Sequence, residues 1–317
     1  MKRFLSLLLL LAMLITLCSC SVFTKQSPSE TEPEELTATP LLYSITTADG
    51  ATLYLLGSIH ATDDRAYPLP DYIMDAYAES DYLSVECDIL AFETDYTAQA
   101  QMVKMFLCET GKTTADYLGQ ELYEDAKAFL SERGDYNQIY DMYTPAFWLS
   151  LIENALLEET DLDTDDGIDL YFLEDAHKNN KEIREVESAM FQFEMLTGFS
   201  DELNRWLIED YIKNAAEGIE ATNALYEHWL RGDEAEFAAF IQDDADTSEL
   251  TPEQLALYEE YNTAMLVDRN IGMADKAEEY LAGGGTGFFV VGAAHIVGEG
   301  ALVDLLTQRG YTVNRIN

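Results

Sequence analysis

Leu53-Tyr-Leu-Leu-Gly-Ser-Ile-His60 reads as a buried strand of apolar and β-branched residues that stops at a glycine, with a histidine three positions further on. The pattern recurs near the other end of the chain as Gly287-Phe-Phe-Val-Val-Gly-Ala-Ala-His295. The chain has only four histidines, His60, His177, His228 and His295, and two of them occupy these matched places. A strand delivers a side chain rigidly to the edge of a sheet. The glycine is expected to let the backbone turn without a Cβ clash, so that the histidine swings into a cleft. Two such histidines, brought together by one sheet, make half of a metal site.

The rest of the chain is arranged around these two units. Leu42–Thr47 and Thr52–Leu56 flank Asp49-Gly50, which predicts a hairpin closed by a type I′ turn. Pro68–Ser80 carries helical spacing, and Tyr82–Glu86 reads as the next strand, ending on a carboxylate. From about Thr94 to Tyr280 the apolar residues recur at helical intervals, over 117–132, 145–157, 169–177, 189–196, 202–231, 235–241 and 252–281. Lys181–Glu187 is a short strand candidate within that block. The chain closes as strand 287–291, helix 299–309 and strand 312–316, punctuated by Gly283-Gly-Gly285 and Gly310. The expected fold class is α/β (α+β): a central mixed sheet built from both chain ends, with a large helical insertion between them.

Met1-Lys-Arg3 followed by the apolar run Phe4–Leu17, about 14 residues, is too short to span a bilayer comfortably and has the form of a signal peptide. It ends in Leu17-Cys18-Ser19-Cys20, which resembles a bacterial lipobox. The expected organisation is a lipoprotein signal peptide over residues 1–19, lipid on Cys20, a flexible tether over 20–40 rich in Ser, Thr, Pro and Glu, and a folded domain over 41–317. The mature chain is therefore expected at the cell membrane, lipid-anchored on its extracytoplasmic face. Cys87 and Cys108 remain, either as a disulfide or as two free thiols. With 18 basic and 60 acidic residues the net charge is −42, which argues against nucleic acid as a partner because a phosphate backbone needs a field of lysine and arginine.

Imidazole with carboxylate oxygen suits divalent transition metals, and two histidines alone bind weakly, so a carboxylate should complete the site. Glu86, at the end of a strand expected beside the first one, leads; Glu187 has the same strand-end context. Arg269 falls on an apolar helical face with Asn262, Met265 and Met273. It is expected either to form an ion pair with a strand-end carboxylate or to face a bound carbonyl as an electrophilic group. Its neighbour Asn270 reads as a capping or surface residue. The acidic run Glu159–Asp169 fails as a calcium loop. Counted from Asp161, the sixth position is Asp166 and not glycine, and the twelfth is Phe172 and not glutamate. It reads as a solvated turn with Asp169 at a helix start. No G-x-S-x-G, H-E-x-x-H or phosphate-binding loop is present.

The pairing of Leu55-Leu-Gly-Ser-Ile-His60 with Val290-Val-Gly-Ala-Ala-His295 resembles the TraB/GumN/Tiki family. So do Glu86 after the second core strand, Asp166-Gly-Ile-Asp169, the Lys181–Glu187 segment, Arg269-Asn270, and Val297–Val313. The resemblance covers about Leu41 to Asn317. Val186-Glu187-Ser188 departs from the Leu-Glu-Thr-like string usual in bacterial members. The resemblance implies a metal-dependent hydrolase fold shared with erythromycin-esterase-like and haem-binding ChaN-like proteins. Animal Tiki members are membrane-tethered metalloproteases dependent on the two G-x-x-H motifs, and the TraB branch is tied to shutdown of peptide pheromone signalling. It further implies His60 and His295 as metal ligands, Glu86 as ligand or general base, and Arg269 orienting or polarising the substrate. The expectation is thus a hydrolase, most readily a peptidase of peptide or protein substrates, with a divalent metal of the manganese, cobalt or zinc type. The alternative is a non-catalytic envelope lipoprotein that captures a peptide or a haem.

Overall fold

The computed structural model describes residues 38–244, 247, 248 and 250–317. The signal peptide, Cys20 and most of the tether expected from the sequence lie outside the described residues. The elements are β1 (Leu42–Thr46), β2 (Thr52–Ser58), α1 (Asp71–Glu79), β3 (Tyr82–Val85), α2 (Ile89–Thr94), α3 (Tyr96–Phe106), α4 (Thr114–Leu118), α5 (Gln120–Arg133), α6 (Pro145–Leu157), α7 (Ile168–Asn179) and β4 (Glu182–Glu185). There follow α8 (Ala189–Thr197), α9 (Asp201–Lys213), α10 (Ala215–Arg231), α11 (Glu234–Asp244), α12 (Pro252–Asn262), a π-helical turn (Thr263–Val267), α13 (Asp268–Gly283), β5 (Thr286–Gly292), α14 (Ala293–Ile296), α15 (Leu302–Gln308) and β6 (Val313–Arg315).

The strands form one six-stranded sheet in the order β4-β3-β5-β2-β1-β6. The four strands from β4 to β2 run parallel, and β1 is antiparallel to both β2 and β6. β5, from the far end of the chain, lies between β2 and β3. Its Phe288-Phe-Val-Val291 run is buried throughout, as expected of a parallel strand with both faces covered. β4, whose sequence Glu-Ile-Arg-Glu leaves its ends exposed, is an edge strand guarded by charge. The mixed sheet built from both chain ends is therefore present. The helices between α2 and α13 fold onto it, and many of them bury a second core around Trp148, Leu203 and Tyr211.

Several local expectations need correction. The β1–β2 connection is not a type I′ turn. That turn requires positive φ at both central residues, whereas Gly50 (φ 92°) takes one and Asp49 does not. Thr47 donates to Ala51 and accepts from Gly50, so the connection runs over five residues. The helix expected over 117–132 is two, broken at Gly119 (φ 79°), and that over 202–231 is two, broken at Asn214. The 252–281 helix carries a π turn in its middle. Cys87 and Cys108 are both free thiols. His177 contacts Asp88 at 2.8 Å.

Glu153 stands apart in the second core. It is 4% exposed, Oε1 accepts from the Tyr211 hydroxyl at 3.0 Å, and Oε2 has no hydrogen-bond partner among the described residues. Burial pushes its carboxyl up to about 8, against the lowering effect of the Tyr211 bond. A carboxyl raised in the fold leaves full stability below its unfolded value, near 4.3, and withdraws it as the pH climbs through about 8. The chain is therefore expected to lose on the order of a few kcal/mol over that window through this one group, and Glu153→Gln to lose none of it. Denaturant midpoints across pH 4–9 for both chains test this; parallel curves would show that Glu153 ionises freely in the fold.

Candidate active site

The parallel strands deliver three of the candidate residues to their C-terminal edge. Ligands of open α/β sheets bind at that edge. His60 lies two residues beyond β2, Glu86 directly follows β3, and His295 sits in α14, directly after β5. Glu187 follows β4 and pairs its backbone N–H with the Glu86 carbonyl at 2.8 Å. The two glycines of the matched motifs act through proximity and not through an unusual turn, since neither Gly57 nor Gly292 has positive φ. A Cβ on Gly57 would lie 3.0 Å from Ala293 Cβ, so α14 seats against β2 only because position 57 has no side chain. A Cβ on Gly292 would lie 3.5 Å from Glu86 Oε1, 3.6 Å from His295 Cδ2 and 4.0 Å from His60 Nε2. His60, His295 and Glu86 thus surround one side-chain-free position.

Each imidazole is held from behind. His295 is fully buried, and its Nδ1 lies 2.7 Å from Asn270 Oδ1. Asn270 Nδ2 donates to the Gly300 carbonyl, which fixes the amide with Oδ1 towards the ring. His295 therefore carries its proton on Nδ1. Its Nε2, buried and without a hydrogen-bond partner among the described residues, keeps a free lone pair. Burial and the neighbouring Arg269 hold this histidine down at about 3, so it is neutral. His60, one-fifth exposed, places Nδ1 3.0 Å from Asp169 Oδ1 in a close charge contact that is not aligned as a hydrogen bond. Burial alone would lower His60, but Asp169 and Glu86 outweigh it and raise it to about 9. A carboxylate or amide behind a ring nitrogen is the arrangement that orients metal-ligating histidines.

Glu86 Oε1 accepts from the Gly292 N–H at 2.8 Å, and Oε2 accepts from Arg269 Nη2 at 2.6 Å and Gln192 Nε2 at 3.1 Å. Arg269, with a side chain 1% exposed, grips Glu187 through Nε and Nη2, both at 2.9 Å. Gln192 completes the network on Glu187 at 2.8 Å. Burial alone would raise Glu86, but Arg269 and the two histidines bring it down to about 2. Arg269 is pushed up by both carboxylates against the effect of burial. Of the two roles expected for Arg269, the ion pair is the one the geometry contains; its guanidinium is occupied by Glu86 and Glu187.

The structure thus gathers His60, His295, Glu86, Glu187, Arg269 and Asn270 into one connected region, with Asn270 behind His295 and not at a surface cap. Two further residues join this region. Asp169, expected as a solvated helix start, faces His60. The signal lay in Gly167, where a Cβ would come 2.5 Å from the His60 carbonyl, so that this glycine lets the start of α7 press against His60. Gln192 is a lone buried polar residue between Phe191 and Phe193, a position that only a polar partner explains.

The donor types fit a divalent ion: imidazole nitrogens from His60 and His295, the Nε2 of His295 being buried and unpartnered among the described residues, with carboxylate oxygen from Glu86. The shell is not closed, since among the described residues no three His, Cys, Asp or Glu side chains are gathered at ligating distance.

These features define an α/β protein with paired imidazoles and a carboxylate at the C-terminal edge of its parallel strands. The chain belongs to the TraB/PrgY/gumN family, which matches it over residues 41–315. Among relatives, the "Uncharacterized protein YbaP" of Escherichia coli (strain K12) is 24% identical over 263 residues, covering 83% of this chain and 90% of YbaP. "Metalloprotease TIKI2" of Danio rerio is 25% identical over 304 residues, covering 82% of this chain and 57% of TIKI2. No solved structure matches it significantly.

Proposed function

We propose that this chain is a metal-dependent hydrolase of peptides, held on the extracytoplasmic face of the membrane by lipid on Cys20. The observation that carries the reading is the convergence of two backed imidazoles and an ionised carboxylate on Gly292. Kinship with a protein named a metalloprotease supports the choice of reaction class. The lipobox-like Leu17-Cys18-Ser19-Cys20 supports the anchor.

His60, His295 and Glu86 would hold the ion. Bound there, a divalent cation supplies Lewis acidity, polarising a carbonyl and making water a better nucleophile near neutral pH. Asn270 keeps His295 in the tautomer whose Nε2 is free. Asp169 fixes the rotation of His60. Arg269 and Gln192 pin Glu86 and Glu187 so that neither carboxylate swings across the site. A carboxylate held at about 2 is a weak proton acceptor, which favours Glu86 as a ligand over Glu86 as the general base.

The test is metal analysis of the purified mature chain together with cleavage of a mixed peptide pool, with and without chelator. About one divalent ion per chain is expected, with cleavage that stops on chelation and returns on adding metal back. Chelator-insensitive cleavage, or metal-loaded protein that cuts nothing in the pool, would remove the proposal.

A further inference from the structure

Against the two histidines lies a small pocket open to solvent, whose empty space, mouth included, is about 390 Å³. Its walls are Ile59 from the β2 edge, Leu225 and Trp229 from α10, Phe237 from α11, and Ala293 from α14. All five are buried. Trp229 is pinned, since its Nε1 donates to the Gly57 carbonyl at 2.9 Å and its ring stacks with Tyr226 at 6.1 Å between centroids. Its indole N–H is thus engaged with the sheet backbone and the ring adds hydrocarbon to the wall. No carboxylate, lysine or arginine is among the lining residues, although the chain as a whole is strongly acidic. The lining includes two buried polar atoms without a hydrogen-bond partner among the described residues, Ser58 Oγ and His295 Nε2.

A site this small receives one side chain and not an extended molecule. A lysine or arginine entering it would lose its hydration with no carboxylate in the lining and with the His60 imidazole beside it. An apolar side chain would bury its surface against Leu225, Trp229 and Phe237 and leave the histidines facing the adjoining peptide bond. We infer that this pocket is the specificity subsite, taking an apolar side chain of leucine size from the residue that flanks the scissile bond; the inference rests on the hydrolase reading above for the bond but not for the binding. The substrate class is then peptides with an aliphatic or methionine-like residue at that position. Peptides with lysine or arginine there are excluded.

The experiment compares metal-loaded wild type, Leu225→Phe and Leu225→Ala on a set of peptides differing only in the flanking residue. Wild type is expected to prefer leucine over alanine by about tenfold or more in kcat/KM, and leucine over lysine by more than that. Leu225→Phe narrows the pocket and should cut the leucine-to-alanine ratio at least several-fold. Leu225→Ala should move the optimum to phenylalanine. Binding of Gly-Leu-Gly and Gly-Lys-Gly, read by indole fluorescence and checked with Trp229→Phe, runs alongside. Equal cleavage of all peptides, or equal binding of the two tripeptides, overturns the subsite. Leucine-selective binding that responds to Leu225 with no hydrolysis upholds the subsite and overturns the hydrolase reading alone.

Discussion

Replacing His295 by alanine is expected to abolish metal uptake and peptide cleavage together. The imidazole is fully buried, and its Nδ1 meets Asn270 on the side away from the site. Among the described residues its Nε2 has no hydrogen-bond partner to lose. A histidine kept only for packing would not present a buried, unpaired nitrogen beside a carboxylate, because such a group costs about 1–3 kcal/mol to bury unsatisfied. Removing the ring leaves a cavity and an unpaired Asn270 oxygen, so His295→Gln, closer in volume, should be made in parallel. Asn270→Leu separates holding from liganding. It leaves the ring in place but without its Nδ1 acceptor, and metal affinity should fall about 10–100-fold, with activity recovering at higher metal concentration. Metal titration by calorimetry reads both effects. A folded His295→Ala chain that binds a divalent ion as tightly as wild type would end the assignment of this edge as a metal centre.

Arg269→Leu carries the largest expected effect on stability. One guanidinium, 1% exposed, neutralises two carboxylates that are themselves about nine-tenths buried. Taking away one partner of a buried ion pair typically costs about 3–5 kcal/mol, because the remaining charge is left desolvated. Here two charges are left, against a total domain stability of about 5–15 kcal/mol. Arg269→Lys should rescue only part of the loss, since an ammonium lacks the planar fork that reaches Glu187 through two nitrogens and Glu86 through one of them. The triple variant Arg269→Leu, Glu86→Gln, Glu187→Gln removes the stranded charges and should recover most of the stability without recovering activity. Denaturant unfolding at neutral pH measures each step. A single Arg269→Leu variant within about 1 kcal/mol of wild type would mean that the carboxylates are solvated or protonated in the fold. The wild-type network should also weaken in acid. Glu86 is depressed to about 2, so its stabilising share is complete above the ordinary carboxylate range and is lost as the pH falls through 2.

Much of this molecule is written in its linear pattern, because strand and helix periodicities are local. The runs ending at Gly57 and Gly292 are too short and too β-branched or aromatic for anything but buried strands, and they name their own histidines. The strand-end position of Glu86 and Glu187 follows in the same way, and so does the apolar helical face that holds Arg269. The breaks at Gly119 and Asn214 and the π turn at Thr263–Val267 were not legible. They depend on how successive helices seat on a second core assembled from distant segments.

The sequence by itself determined which residues would stand at the sheet edge: an imidazole after each of two strands, a carboxylate after each of two others. Only the tertiary structure decided what stands behind them. Asp169 meets His60 because Gly167 admits the start of α7, Asn270 meets His295 through α13, and Arg269 closes on both carboxylates from the same helix. Those partnerships join residues separated by 25 to 183 positions. A charge or an amide chooses its partner by distance in space and by loss of water, and neither quantity is encoded in the spacing of letters along a chain.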